Sequence, residues 1–451
     1  MEFEEITFKT TLVFWNMNET NLNYNNEQMG KVLKESKYAS SIYDGYTFTN
    51  QDGEKIPLKW IAATGKNFVP HCFKILEDKF ICTKSPVIHG RILIDGHVYP
   101  EEVLVLQARL DFDEYMKIED LIVASIPDNI ILSTGRNMKD TLSQLASEII
   151  QELRENLRLR KEKVGAKASP WHHNWIWWDR KKSSGESVPI KEFEPDGKYF
   201  KWALGMCTRS DKWRKLDPEN YSEIIEDVSN LSPYSGNCVY ITHPGNVIIP
   251  SKDFLDPDAI KNTIIDVLFA AEEGNVQRYL ILNHLQDFNA KSLKIQEIIA
   301  DYQDKEKETG KIIDRLVSME QDLNELVLEV NTDLQITRTP RLIFTSVFKT
   351  KLFKEMIDAL HGFDFYDSLQ TIITEVKEAL ERQRDIITMK VNEEENVFLR
   401  NLQIVFIIGL VAQMITLFYS VEGFDFNLGT IFTLVSVVVS LVILLLLKKI
   451  K

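Results

Sequence analysis

Two long apolar runs near the C-terminus constrain the fold of this chain more than any other feature. The first extends from Leu402 to Tyr419 and the second from Leu428 to Leu447, and neither contains a formally charged residue. At 1.5 Å per residue, two such helices are about 27 and 30 Å long, close to the thickness of a bilayer's hydrocarbon core. Buried helices of a soluble core are the alternative, but uninterrupted apolar runs of this length favour membrane spans. The sequence therefore predicts transmembrane helices at 402–419 and 428–447, joined by an outer loop at 420–427.

The charges that flank these runs predict the orientation of the hairpin. Lys390 and Arg400 precede the first run, and a basic tail at 448–451 follows the second. The connecting loop holds Glu422 and Asp425 and no basic residue. Because basic residues stay on the cytoplasmic side, we expect both termini in the cytoplasm. The predicted localisation is the inner (plasma) membrane, as a multi-pass protein with the lipid bilayer as a partner.

The first part of the chain, 1–255, has the pattern of an α+β cytoplasmic head domain. Alternating apolar stretches with Asp-Gly pairs predict β-hairpins at 46–60 and 89–112. A helix is predicted from 137 to 163 because its apolar residues recur on one face. A further strand is predicted at 238–250.

The next segment, 256–401, is predicted to form long coiled-coil stalk helices. The Asp-Pro-Asp-Ala sequence at 256–259 is a typical helix start. Two seams of apolar residues follow at alternating spacings of three and four, and they predict packing between helices of one subunit and of its neighbours. The first seam comprises Ile312, Leu316, Met319, Leu323, Leu326 and Val330, and the second comprises Leu369, Ile373, Val376, Leu380, Gln383 and Ile387.

This order of elements resembles the CorA family of two-span divalent-cation channels. The resemblance covers 256–451 by architecture and 385–451 more closely. It implies a funnel-shaped homopentamer whose first span lines a pore, with a possible divalent cation. Family members end the first span with Tyr-Gly-Met-Asn, a signature that binds hydrated Mg²⁺. Here the matching residues are Tyr419, Ser420, Val421 and Glu422, so that signature is absent.

A stripe on the first span is predicted to line the pore. Polar side chains within a span usually face protein or water, and rings of amides alternating with apolar rings suit a pore gated by wetting. Alternatively, the glutamines of the stripe only join neighbouring helices. At the outer mouth, Glu422 and Asp425 either form carboxylate rings that attract cations or are simply acidic loop residues. The stripe comprises Asn396, Leu399, Gln403, Phe406, Leu410, Gln413, Leu417 and Ser420.

A tryptophan-rich segment at 164–215 is the predicted ligand site. It holds six of the eight tryptophans, mixed with basic residues. Indole rings stack on purines and basic side chains neutralise phosphates, so the segment suits a nucleotide. A metal site at His172 and His173, or a tryptophan-rich core or interface, are the alternatives. The predicted ligand residues are Trp171, His172, Trp175, Trp177, Trp178, Arg180, Arg209 and Arg214.

Composition and motifs narrow the function classes. The net charge of −14 argues against direct nucleic-acid binding. The sequence at 63–67 lacks the first glycine and the final Ser or Thr of a phosphate loop, and no catalytic motif occurs elsewhere. We therefore expect no enzyme activity and no required cofactor.

The missing signature and the large head resemble one branch of the family, the CorA-like proteins associated with type III CRISPR systems. This resemblance implies an antiviral membrane ion channel gated by a nucleotide second messenger of the SAM-AMP class, a conjugate of S-adenosylmethionine and AMP. A housekeeping Mg, Co or Zn transporter and a membrane-anchored coiled-coil scaffold are the alternatives.

Overall fold

The computed structural model divides the described chain into two compact units. We call Met1–Gln286 with Leu328–Gln370 the α+β unit, and Asp287–Val327 with Thr371–Lys451 the helical unit. The described residues are 9–20, 22, 26–49, 54–59, 68–157, 172–179, 188–210, 212, 215, 238–242, 245–249, 257–304, 309–421 and 435.

A large, mostly antiparallel sheet forms the centre of the α+β unit. Among the described residues it has nine strands in the order β10-β11-β9-β1-β7-β6-β5-β2, with β8 beside β5, and β3 pairs separately with β4. Of the strand pairs in the described part of the chain, only β9–β11 is parallel. The strands are β1 (Lys9–Glu19), β2 (Ser41–Ile42), β3 (Thr47–Thr49), β4 (Lys55–Pro57), β5 (His71–Cys82), β6 (Ser85–Tyr99), β7 (Val103–Phe112), β8 (Ile130–Leu132), β9 (His172–Asp179), β10 (Cys238–Ile241) and β11 (Gly245–Ile249).

Nine α-helices complete the described part of the chain. Their bounds are α1 (Asn26–Glu35), α2 (Ile118–Ala124), α3 (Met138–Asn156), α4 (Phe200–Thr208), α5 (Pro257–Asp304), α6 (Thr309–Asp333), α7 (Gln335–Arg338), α8 (Val347–Ala359) and α9 (Gly362–Val421).

Helix α3 covers the apolar face of the sheet and confirms the helix predicted from 137. Asn137 caps it by accepting a hydrogen bond from the backbone N–H of Asp140 at 2.7 Å. Its buried residues, including Leu142 and Ile149, join a core with Leu12 and Phe14 of β1. The α+β character of the head is thereby confirmed.

The hairpin predicted at 89–112 exists, but its turn is not at the Asp95–Gly96 pair. Strand β6 runs straight through Gly96 and ends at Tyr99, and β7 begins at Val103. Gly96 is needed for close packing, since an added Cβ would lie 2.4 Å from the Phe73 ring. The Asp-Gly pair therefore makes room for an aromatic ring of the neighbouring strand rather than a reversal of the chain.

Most residues of both predicted coiled-coil seams belong to the helical unit, where the seams pack within a single chain. Leu316 and Leu323 of α6 are buried, as are Ile373 and Leu380 of α9. Arg384 of α9 donates to Glu320 of α6 at 2.7 Å. Lys291 of α5 donates to the backbone carbonyl of Asp322 at 2.9 Å. The seam is therefore a contact between helices of one subunit.

The predicted C-terminal transmembrane hairpin is wrong as a description of this fold. In the part of the chain that the structure describes, no helix is both long enough and apolar enough to cross a membrane. The second predicted span, 428–447, lies outside the described residues except for Val435.

Other predictions rest on the same hairpin and are corrected with it. They are the class of membrane ion channel and the inner-membrane localisation with two spans and cytoplasmic termini. The transporter and the membrane-anchored scaffold were argued from the same two runs. The outer loop at 420–427 and the basic tail at 448–451 lie outside the described residues, except for the helical backbone of Ser420 and Val421.

Candidate functional site

Helix α5 carries a group of polar side chains inside the core of the α+β unit. Glu272, Glu273, Asn275, Gln277 and Arg278 are all buried, in a helix segment whose apolar residues are buried as well. Charged side chains are rarely buried unless they are paired, because leaving water is costly for an ion. We therefore take this polar centre as the first candidate site.

Glu272 accepts four hydrogen bonds, from two strands and from the residue that precedes a third. Its Oε1 atom lies 2.6 Å from Nδ1 of His97 and 2.9 Å from the hydroxyl of Tyr99, both on β6. Its Oε2 atom lies 2.9 Å from Nε2 of Gln107 on β7 and 2.9 Å from the hydroxyl of Tyr46, just before β3. Side chains alternate between the two faces of a strand, so His97 and Tyr99 reach α5 from the same face of β6. The carboxylate thus attaches the helix to the sheet.

The charge of Glu272 is balanced by His97. Burial acts against the charged imidazolium, but Cys72 and Glu272 outweigh it and raise the pKa of His97 well above its ordinary value. Burial also raises the pKa of Cys72, so that thiol is protonated at neutral pH and Glu272 provides the negative charge. Burial, followed by the charge of Glu272, raises the pKa of both Tyr46 and Tyr99, which remain neutral donors. The site is a hydrogen-bonded ion pair.

Cys72, His97 and Glu272 have the residue types of a nucleophile, its base and an orienting carboxylate. Cys72 lies opposite His97 in the β5–β6 pair. However, its thiol donates to the carbonyl of Pro70 at 3.6 Å, and all three residues are fully buried. A substrate has no access to this arrangement, so its role is to hold the helix against the sheet. The prediction that the chain is not an enzyme stays a prediction.

Glu273 faces a second polar group. Gln277 donates to it at 3.1 Å, and Gln277 in turn accepts a hydrogen bond from Thr337 at 2.7 Å. Arg278 donates to the backbone carbonyl of Leu360 at 3.0 Å. Gly274 faces α8, where an added Cβ would be in ordinary contact with Cβ of Met356 at 3.5 Å. Helix α5 is therefore tied to its neighbours by polar contacts on more than one side.

A cavity of about 620 Å³ is the second candidate site, at the edge of the sheet. One wall is the turn around the 3-10 helix Ile190–Phe193, and the other is the start of β10. The hydroxyl of Tyr240, a lining residue, donates to the carbonyl of Phe193 and so joins the two walls. The lining residues are Lys191, Glu192, Glu194, Pro195, Asp196, Gly197, Cys238, Val239 and Tyr240.

The predicted tryptophan-rich ligand site forms part of the sheet. His172, Trp175, Trp177 and Trp178 belong to β9, an interior strand between β1 and β11, for which the structure describes the backbone. This placement fits the alternative of a tryptophan-rich core. The cavity lies two strands further along, beside β10. Trp171, Arg180 and Arg214 lie outside the described residues.

Arg209 is described and ends helix α4. Its backbone has a φ of 53°, the left-handed conformation typical of a helix C-terminus. Burial lowers the pKa of its guanidinium to about 10, so the side chain is charged at neutral pH.

The stripe predicted to line a pore lies on helix α9. Asn396, Leu399, Gln403, Phe406, Leu410 and Gln413 are all exposed. Leu417 and Ser420 continue the helical backbone, and Glu422 and Asp425 lie outside the described residues. No group of three His, Cys, Asp or Glu side chains that could hold a metal ion occurs among the described residues.

The polar centre on α5 was missed by the sequence prediction. Its signal is the pair Glu272–Glu273, which directly follows the mostly apolar run from Ile264 to Ala271. An acidic pair in the middle of a buried helix indicates partners elsewhere, but it does not identify them. Neither a family model, nor a curated protein, nor a solved structure matches this chain.

Proposed function

We propose that this protein is a sensor whose α+β unit binds a small nucleotide-derived messenger in the cavity beside β10. The cavity carries this proposal. Its volume lies within the range of small-molecule sites, and one of its walls belongs to the segment 164–215 in which the sequence predicts a nucleotide site. The resemblance described above points to the SAM-AMP class.

The charge of the cavity indicates which part of such a ligand it suits. Glu192, Glu194 and Asp196 contribute three carboxylates against the single ammonium of Lys191. Carboxylates repel phosphate, and they attract cations and accept hydrogen bonds from hydroxyl groups. SAM-AMP carries a sulfonium cation and ribose hydroxyls. We therefore place its S-adenosylmethionine end in the cavity and its phosphate outside.

The sheet provides a path from the cavity to helix α5. Strand β10 belongs to the same sheet as β6 and β7, which hold Glu272 through His97, Tyr99 and Gln107. A ligand that binds one arrangement of the sheet more tightly than another shifts the population toward that arrangement. Helix α5 continues without a break to Asp304. A shift of the part of α5 that contacts the sheet would therefore be transmitted along the helix.

Neutralising the cavity is expected to weaken binding of a cationic ligand. Glu194 and Asp196 are exposed, so Glu194→Gln and Asp196→Asn should leave the fold intact. For the double variant we expect about tenfold weaker binding of SAM-AMP and of S-adenosylmethionine, measured by titration calorimetry on the full chain. Glu35→Gln, a change at an exposed position of α1, is the matched control. Absence of binding, or AMP binding as tightly as SAM-AMP, would contradict the proposal.

Self-association through α9 is a second candidate function, favoured by the exposed stripe. Asn396, Gln403 and Leu410 repeat every seven residues, and so do Leu399, Phe406 and Gln413. These two sets are the a and d positions of a heptad, and large apolar surfaces in water require a partner. Amides at a and d positions favour parallel pairing of identical helices, because each amide then meets its own copy. The occupant we propose is therefore a second copy of this chain, and the resemblance implies five copies.

Charge on the stripe is expected to break this assembly. Phe406→Glu places a carboxylate at a d position, whereas Ile408→Glu places one at the outer f position of the same turn; both residues are exposed. We expect the mass in sedimentation velocity to fall to that of a single chain for Phe406→Glu and to stay unchanged for Ile408→Glu. Equal masses for the two variants would show that the stripe is not the contact.

A further inference from the structure

Glu101 and Glu273 are two buried carboxyl groups of the α+β unit whose charges act on each other. Glu101 belongs to the turn between β6 and β7, and Glu273 to helix α5. Glu101 is 7% exposed and Glu273 is fully buried. The next residue, Glu102, has a φ of 61°, a conformation that glycine usually provides at this place in a hairpin. The strained turn directs Glu101 into the core.

The oxygen atoms of this pair lack the hydrogen bonds that buried carboxylates require. Neither carboxylate oxygen of Glu101 has a hydrogen-bond partner on another residue, and Oε2 of Glu273 has none. The other oxygen of Glu273 accepts from Gln277. A buried carboxylate without donors is strongly destabilised, whereas a protonated carboxyl can itself donate.

The charged groups that face the pair are themselves acidic. Asp333, the last residue of α6, acts on Glu101, and Glu272 of α5 acts on Glu273. The neighbouring imidazole of His284 is engaged with Asp333 at 3.1 Å. Glu272 is neutralised by the sheet, as described above. Two negative charges at this place would therefore repel each other without compensation.

We propose that Glu101 and Glu273 form a proton-binding site that holds the β6–β7 turn against helix α5. With a proton bound, one carboxyl donates to the other and satisfies oxygens that otherwise have no partner. When the proton is lost, repulsion separates the turn from the helix. The turn also holds the end of β1, because the N–H and the hydroxyl of Thr20 both donate to the carbonyl of Glu102 at 2.8 Å. Release of the turn would therefore loosen the ends of the central strands β1, β6 and β7.

The acidities of the two groups agree with this geometry. Burial, and next the charge of Asp333, raise the pKa of Glu101 from 4.5 to about 8. Burial, and next the charge of Glu101, raise the pKa of Glu273 well above its ordinary value. The folded chain therefore binds more protons than the unfolded chain between about pH 4.5 and pH 8. Stability is highest at the acidic end of this window and is lost as the pH rises through it.

Glutamine variants test the site, because glutamine has the shape of a protonated glutamic acid. We would measure the Tm of the full chain from about pH 5 to about pH 8.5 for the parent, Glu101→Gln, Glu273→Gln and the control Glu35→Gln. The parent and the control should lose Tm as the pH rises. The Tm of Glu101→Gln and of Glu273→Gln should fall less over the same pH range, and each should have a higher Tm than the parent at the alkaline end. All other titrating groups are common to the four proteins and cancel in the comparison.

Hydrogen exchange locates the effect. After correction for intrinsic rates, protection of residues 99–103 and 268–280 should fall with pH in the parent and stay constant in Glu101→Gln. The proposal would be overturned if the Tm had the same pH slope in all four proteins. It would also be overturned if Glu101→Gln and Glu273→Gln each lowered the Tm by the same amount at every pH. If Mg²⁺ restored the parent's Tm at alkaline pH but not that of the variants, the pair would bind a cation instead of a proton.

Discussion

Replacing Glu272 by alanine is expected to lower the free energy of unfolding of the α+β unit by about 3–5 kcal/mol. The change removes one partner of a fully buried ion pair and leaves the charged imidazole of His97 without compensation. It also leaves the hydroxyls of Tyr46 and Tyr99 without their acceptor. The cost therefore comes mainly from unsatisfied groups rather than from the lost contact itself.

Urea unfolding followed by tryptophan fluorescence measures this effect in the correct unit, because all eight tryptophans precede Gln286. Glu114→Ala, at an exposed position, is the control and should change the free energy of unfolding by less than about 0.5 kcal/mol. In the double variant with His97→Ala, the loss should be smaller than the sum of the two single losses. A loss below about 1 kcal/mol for Glu272→Ala would mean that the carboxylate does not anchor the helix.

Replacing Leu380 by lysine is expected to destabilise the helical unit by at least about 3 kcal/mol. Leu380 is 1% exposed in the seam of α9, so the change removes a buried apolar side chain and introduces an ammonium group there. The long stem of lysine can carry its charge toward water, which limits the loss.

Circular dichroism and tryptophan fluorescence separate the two units in this experiment. The helical signal at 222 nm should melt earlier in Leu380→Lys, while the fluorescence transition should not move, since the helical unit contains no tryptophan. Glu381→Lys changes the adjacent exposed position and should leave both transitions in place. If Leu380→Lys alters only the mass of the assembly, the seam joins neighbouring subunits, contrary to the burial within one chain.

Local patterns in the sequence were sufficient for several elements of the fold. The helix beginning after Asn137 was predicted from its apolar face, and the antiparallel pairing of β3 with β4 from an Asp-Gly turn. Both signals act between residues close in sequence, where the backbone geometry follows from short-range hydrogen bonds. The Asp95–Gly96 pair shows their limit, because a glycine that signals a turn is also what a close-packed strand requires.

The sequence by itself determined the heptad seams, the acidic charge and the α+β pattern of the first 255 residues. Tertiary structure alone decided that the seams pack within one chain and that the tryptophan-rich segment includes an interior strand. It also decided the polar centre, where Glu272 meets Tyr46 from 226 positions away. The physical reason is that a carboxylate's environment depends on which donors the fold brings to it, and a local sequence pattern does not contain that information.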